Sequence, residues 1–483
     1  MKKTLCLFLA LLTVFSCVSM LFSCSKETGK EAEETKPYET EIVAGSEEDP
    51  EIAAVDYEKY DFVFLTEDGD YFVDYIDADS ESNELIPSAV YRRNTVVEDK
   101  YNITISQQAS AKQSEDIRAQ VMSGSPSFDA ILARATFLST LAKENLLYDL
   151  NTVERFDMTK SYWDQNAKNE LNIAGKLYYT NCDLNIRALP FMIFFNKQLI
   201  EDNQLTSPYE YMKNNDWTLD HFGELVKSSV AKDMDNDGNM TELDRYGAQF
   251  EYNNIPVLMY GCGLRATTND ATGYPELTLM SDKTVDVYEK LKEIYSDRNF
   301  VYDLTSSSMD PHGYAHRFDY ARYLFTQDLA LFHLAPSDII YQFADMEHEF
   351  GIVPAPKYDG AQDRYYSLFS YAEVLFALPS VNKNLERTAN IIEDMNYYSS
   401  VITIPVWFDT MLSRKYTRDD ESEENLSIIK ETAVYDVGLF FDFGGLRSKI
   451  LSVDPKNSNI STNFAKLKKA IQADIDSNFA KQS

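Results

Sequence analysis

Apolar and polar positions along this chain switch repeatedly between a period of two and a period near 3.6. Phe62-Val63-Phe64-Leu65 is a short apolar run of strand type, residues 88–99 carry a helical stripe, and Tyr101-Asn102-Ile103-Thr104-Ile105 reads as a strand. Residues 114–122 are helical again, and 128–133 form a third strand-like run. This β-α-β-α-β order predicts an α/β fold with a mostly parallel sheet and helices on both faces, whose ligands sit outside the carboxyl ends of the strands. Farther on, Leu219, Phe222, Leu225, Val226 and Val230 recur at helical spacing behind Thr218, an N-cap residue type. Val287, Tyr288, Leu291, Ile294 and Tyr295 do the same within 283–296, as do Phe464, Leu467, Ile471, Ile475 and Phe479 near the end. Residues 329–334 and 371–378 are short runs with strand character, and no repeat of fixed period is evident.

The first 24 residues break the pattern. Lys2 and Lys3 precede an apolar run from Leu5 to Phe22, closed by Leu21-Phe22-Ser23-Cys24. That is a secretory signal ending in a cysteine, similar to a bacterial lipobox in which the cysteine is acylated. The expectation is a signal peptide over 1–23 and a lipid anchor on Cys24. The alternatives are a single spanning helix and acylation at Cys17; the latter would leave a greasy mature start. Residues 24–57 are rich in Glu, Thr, Lys and Asp, so they are expected to form a disordered acidic tether. Together these features place the protein on the extracellular face of a cell membrane, with a single-membrane host preferred.

The chain carries 78 acidic and 45 basic side chains, a formal charge of -33. A field of that sign repels nucleic acid and anionic lipid heads. Beyond Cys6, Cys17 and Cys24 only Cys182 and Cys262 remain, either a disulfide or two small buried side chains. The body is larger than one core usually covers, which predicts two lobes.

Several segments in sequence order resemble the family 1 extracellular solute-binding proteins of ABC importers, the maltose-binding-protein-like group. They are Leu147-Tyr148-Asp149-Leu150-Asn151, Tyr162-Trp163-Asp164-Gln165, Gly175-Lys176-Leu177-Tyr178-Tyr179 and Phe194-Phe195-Asn196-Lys197-Gln198-Leu199. Asp216-Trp217-Thr218-Leu219-Asp220-His221-Phe222, Phe350-Gly351-Ile352-Val353-Pro354-Ala355-Pro356 and Ala377-Leu378-Pro379 continue the series. The resemblance implies a two-lobe periplasmic-binding-protein-like (type II) fold with an inter-lobe ligand cleft. It implies a lobe 1 of 58–184 plus 335–384 and a lobe 2 of 185–334 plus 385–483. The crossings would fall near 181–187, 334–338 and 382–386.

The sharpest local motif is Asp233, Asp235, Asp237, Asn239, Thr241 and Asp244, with Gly238 at the sixth position. Oxygen ligands at positions 1, 3, 5, 9 and 12 of a twelve-residue loop are what a Ca²⁺ site of EF-hand type needs, and the expected role is structural. The last position is Asp where Glu is usual, similar to dockerin-type loops; an acidic turn without metal is the alternative. His312 and His316 are spaced four apart, but Pro311 and Gly313 argue against a helix there. No phosphate loop or nucleophile elbow is visible.

With 32 Tyr, 28 Phe and 3 Trp, the chain offers rings on which the apolar faces of sugars stack. Trp217 is expected to pack at a helix start, Trp163 fits either core or ligand platform, and Trp407 is preferred as platform by likeness to maltose-binding relatives. The polar ligand-binding candidates are Arg134 after the strand at 131–133, Asp183 and Asn185 at the first crossing, Ser337 and Asp338 at the second, and Ser370 with Tyr371 at a strand start.

The resulting expectation is a monomeric, non-enzymatic, membrane-tethered binding protein. It would close on a carbohydrate or other small polar solute and deliver it to ABC permease subunits. The competing readings are an exported carbohydrate-active hydrolase using a carboxylate pair and an adhesion or scaffold lipoprotein.

Overall fold

The computed structural model describes residues 46–68, 76–78, 80–82, 84–186, 190–305, 313–314, 317–343, 346–408, 419–452 and 460–479, without the side chains of 337, 338, 341 and 460–464. The leader, Cys24, His312 and His316 lie outside these residues, as does the expected tether up to residue 45. Residues 46–57 belong to the body and correct the expected end of the tether. Ile52 packs against the core, Tyr57 stacks on Tyr101 at 5.6 Å, and the Tyr57 amide donates to the Tyr101 carbonyl at 2.9 Å. One aromatic and one branched aliphatic side chain are enough to dock an otherwise acidic stretch.

The first sheet is built from β1 (Tyr60–Glu67), β2 (Ile103–Ser110), β3 (Ala130–Arg134), β4 (Tyr179–Thr180) and, from far along the chain, β13 (Val374–Ala377), in the order β2-β1-β3-β13-β4. β1 is parallel to both β2 and β3, as the opening alternation predicts, while β13 runs antiparallel to β3 and β4. In β1 the fully buried Phe62 and Phe64 face inward, and Gln113 ties helix Gln113–Met122 to the sheet by donating to the Leu65 and Leu132 carbonyls.

The second sheet has the order β11-β5-β10-β6-β9, from β5 (Phe191–Asn196), β6 (Tyr246–Phe250), β9 (Val301–Asp303), β10 (Ala330–Pro336) and β11 (Phe350–Val353). β5 is antiparallel to β10 and β11, and β6 is parallel to β10 and β9. Two small sheets pair β7 (Thr267–Asn269) with β8 (Pro275–Leu277) and β12 (Ser367–Leu368) with β14 (Ala433–Val434). Helix Leu219–Val226 starts at Thr218, whose hydroxyl accepts the His221 amide, and abuts β6. A Cβ on Gly247 would stand 1.8 Å from the Val226 carbonyl oxygen, so the contact requires glycine.

Sheet membership differs from the expected crossings. The chain leaves the first sheet after β4 and enters the second at β5, so a connection near 181–187 is observed. At 334–338 there is none, because β10 is followed by the turn Ser337–Phe343 and by β11 in the same sheet; the return runs through 354–373. Residues 350–353, expected in lobe 1, therefore belong with the second sheet. Helix Leu385–Tyr398, expected in lobe 2, stays with the first: Tyr101 donates to Asp394 Oδ2 at 2.7 Å and Lys100 pairs with the same carboxylate at 2.5 Å. The apolar runs suffice to mark strands, but the partner of a short buried strand is set by tertiary packing.

Candidate functional site

A cavity of about 470 Å³ opens where the two sheets meet, within the range of small-molecule sites. From the first-sheet side come Arg134, the last residue of β3, and the turn 370–373 that leads into β13. From the second come Phe191 at the start of β5, Gln249 and Glu251 at the end of β6, and His333 through Pro336 at the end of β10. Phe318, Ala321 and Arg322 of helix Arg317–Thr326 close one wall. The carboxyl ends of parallel strands thus converge on one space, as expected of open α/β sheets.

The polar groups here are held by specific partners. Arg134 grips Glu67 of β1 through two guanidinium nitrogens, the Nε contact at 2.6 Å. Arg322 donates to Asp319 at 2.7 Å. His333 Nδ1 meets Gln249 Oε1 at 2.6 Å, and the Gln249 amide nitrogen donates to the Ala321 carbonyl at 2.7 Å. Burial pushes the Glu251 carboxyl up to about 7, against the pull of Asn253, Arg322 and Arg317. Tyr371 donates to Asn253 Oδ1 at 2.8 Å, and the Arg447 guanidinium stands 5.1 Å from its ring centroid. The ring is therefore fixed and only partly buried, which suits a stacking platform. Ser370 shapes the turn by accepting the Ala372 amide on its hydroxyl.

Of the nine ligand-binding candidates, Arg134, Ser370 and Tyr371 line this cavity. Asp183 and Asn185 do not: Asn185 donates to the Val374 carbonyl and so straps the connection to β13, and burial pushes the Asp183 carboxyl up to about 7. Trp163 is a core residue, fully buried against Phe156 at 5.0 Å and Phe376 at 5.8 Å, with its indole N–H donating to Glu393 at 3.0 Å. Trp407 is 2% exposed in the cluster around Phe194, Phe350 and Ile352 and offers no free ring face. Trp217 is buried as expected and donates to the Pro354 carbonyl. The side chains of Ser337 and Asp338 lie outside the described ones; their backbone directly follows Pro336 of the lining. Sequence reading missed Gln249, Glu251, Asn253, Arg322 and His333. The rule of strand carboxyl ends reaches Gln249 and Glu251 only once Tyr246–Phe250 is recognised as a strand.

The acidic loop stands apart from the cavity. Paired backbone hydrogen bonds between Lys232 and Arg245 close its base, and single oxygens of Asp233, Asp235 and Asp237 approach within 4.8 Å of one another. Asp233 accepts the Gly238 amide at 2.8 Å, and Asn236 and Gly238 take positive φ values of 59° and 87°. The buried Asp244 accepts the Met234 and Thr241 amides, both at 2.7 Å, and the Thr241 hydroxyl at 3.1 Å. Hard carboxylate oxygens on a pre-bent loop fit Ca²⁺ in donor type and spacing. Asn239 donates its amide to Asp237. Cys182 and Cys262 are buried and free, so no disulfide joins them.

No family model matches the chain, and no curated protein does. Solved structures do. The galacto-N-biose/lacto-N-biose I-binding protein of the ABC transporter from Bifidobacterium longum, in complex with lacto-N-biose, is similar over 87% of this chain and 98% of its own, at 13% identity and a TM-score of 0.59. A cyclo/maltodextrin-binding protein complexed with maltotetraose matches over 88% and 99%, at 13% identity and 0.57. A sugar transporter from Rhizobium etli in an open conformation matches over 86% and 99%, at 14% and 0.56. The fold is accordingly the α/β two-lobed, periplasmic-binding-protein-like type II fold.

Proposed function

We propose that this protein is an extracellular solute-binding protein of an ABC importer, anchored to the membrane through acylated Cys24, that captures a carbohydrate by closing its two lobes and presents it to the permease. The observation that carries the reading is the cavity lined from both sheets, with Arg134, Ser370 and Tyr371 on one side and Gln249, Glu251, Arg322 and His333 on the other. Fixed donors and acceptors around partly buried rings are what a sugar needs, since its hydroxyls require directed partners and its CH faces require an apolar surface. Lobe closure would bury the guest without altering it, and no covalent step is assigned to any residue. The likeness in fold to sugar-binding proteins supports this choice over a hydrolase or a scaffold. The acidic loop 233–244 would hold Ca²⁺ as a structural ion through Asp233, Asp235 and Asp237, with Asn239, Thr241 and Asp244 at the remaining ligand positions of the motif.

The test is a thermal-shift screen of mono- and oligosaccharides, read beside a hydrolysis assay and small-angle scattering. A stabilising sugar that compacts the particle and is recovered intact is the expected result. Cleavage of the sugar, or no response to any sugar, overturns the proposal.

A further inference from the structure

The parallel pairing of Phe332 with Ala248 brings the next residues of the two strands, His333 and Gln249, side by side. Because the Gln249 amide nitrogen is committed to the Ala321 carbonyl, its Oε1 faces the imidazole and fixes Nδ1 as the donor. Nε2 is then a lone-pair acceptor. It is buried and has no hydrogen-bond partner, in a residue that is 7% exposed and lines the cavity. The ring packs among Phe194, Phe325 and Phe343, at centroid distances of 6.5, 5.7 and 5.7 Å. Burial and the nearby Arg322 hold its pKa down at about 3, which keeps the ring neutral at physiological pH.

The charges around it favour the same kind of guest. The two guanidiniums that line the cavity are each countered by a carboxylate, Arg134 by Glu67 and Arg322 by Asp319. Glu251 adds a further carboxyl to the wall. A buried acceptor without a partner is satisfied by a hydroxyl hydrogen and repelled by a carboxylate or phosphate oxygen.

We propose that His333 Nε2 accepts a hydroxyl hydrogen from the bound solute and that, together with Glu251, it makes the cavity select neutral polyhydroxy solutes over their anionic counterparts. This rests on the carbohydrate reading above and names the chemistry of the same cavity.

Calorimetric titration of the purified protein with maltose, cellobiose and β-1,6-galactobiose, each paired with the analogue oxidised to a carboxylate at C6, tests it. A neutral sugar should bind, its uronic analogue at least about tenfold more weakly, and Glu251→Gln should narrow that gap. His333→Phe, which preserves packing against the three phenylalanines, should weaken the neutral sugar by about five- to tenfold. Nitrogen-15 spectra of the unsubstituted protein give a reading that does not depend on the variant folding: a neutral ring protonated on Nδ1 at pH 6 is expected. A doubly protonated ring at that pH, equal or tighter binding of the uronic analogue, or unchanged affinity in a folded His333→Phe overturns the assignment. Absence of binding by every member, neutral and anionic, overturns the carbohydrate reading itself and this inference with it.

Discussion

Tyr371 and Asn253 tie the turn that enters the first sheet to the loop that leaves the second, through a hydrogen bond of 2.8 Å from the phenol to the amide oxygen. Asn253 directly precedes the helix Asn254–Gly261 without a side-chain capping bond, and Glu251 two residues earlier lines the cavity. The bond sits where lobe movement would make or break it. Tyr371→Phe removes the bond and keeps the ring. It should weaken sugar binding by about five- to tenfold, the worth of one neutral hydrogen bond, and shift the unliganded scattering profile toward a more extended particle. Unchanged affinity and scattering would show that the bond does not bias closure.

Glu251 carries a pH signature. Its folded-state value of about 7 lies above the ordinary 4.5, so the native state holds the proton longer than the unfolded chain does. Stability from this group is full below about pH 4.5 and is lost as pH rises through about 7. Glu251→Gln should therefore raise the melting temperature at pH 8, corresponding to about 1–2 kcal/mol, with the difference vanishing near pH 4.5. A difference that does not depend on pH would remove the carboxyl's ionisation as its cause.

Calcium occupancy of loop 233–244 has a direct readout. Titration calorimetry should show one Ca²⁺ per chain, and chelation should lower the melting temperature by the equivalent of about 2.7 kcal/mol when the ion had been present at a hundredfold excess over its Kd. Asp233→Ala, at the first position of the loop, should abolish both effects. If heats of binding are absent and chelation leaves the transition in place, the loop is an acidic turn.

Anchoring is tested in cells. If the proposed export and anchor hold, Cys24→Ser should move the protein from the membrane fraction to the medium and abolish labelling by palmitate. Retention in the membrane with labelling intact would point to Cys17, and retention without labelling to an uncleaved spanning helix.

Gly247→Ala tests the close approach of β6 to helix Leu219–Val226. An added Cβ at 1.8 Å from the Val226 carbonyl carbon's oxygen cannot be absorbed by a side-chain rotation, so one backbone must move. The expected loss is about 2–3 kcal/mol or more, measured by denaturant unfolding.

The elements legible in the sequence were those whose side chains act locally. The stripe Val287, Tyr288, Leu291, Ile294 and Tyr295 marks the helix Asp282–Tyr295, and all five members are buried. Helix Leu385–Tyr398 is different: its buried Asn390, Glu393, Asp394 and Asn396 are partners for distant residues that no periodicity reveals. The cavity was legible only where a polar residue ends an obvious strand, as Arg134 does. β6 was missed because Gly247 and Gln249 lower its strand character. Trp163 drew attention as an aromatic near a crossing, but the group that satisfies its indole N–H, Glu393, is 230 positions away. His333 reads as one polar residue in an apolar strand until Gln249 stands beside it.

β13 enters the first sheet from residues 374–377 and is the strand to which both β3 and β4 are paired. The amino-terminal half of the body therefore cannot finish its own architecture as it leaves the ribosome. The edge of β3, from Ile131 to Arg134, stays without its neighbour until some 240 further residues have followed. Assembly of this lobe is obliged to be late and non-local, which makes refolding slow for the chain's size and places the greatest aggregation hazard before residues 374–377 have joined the sheet.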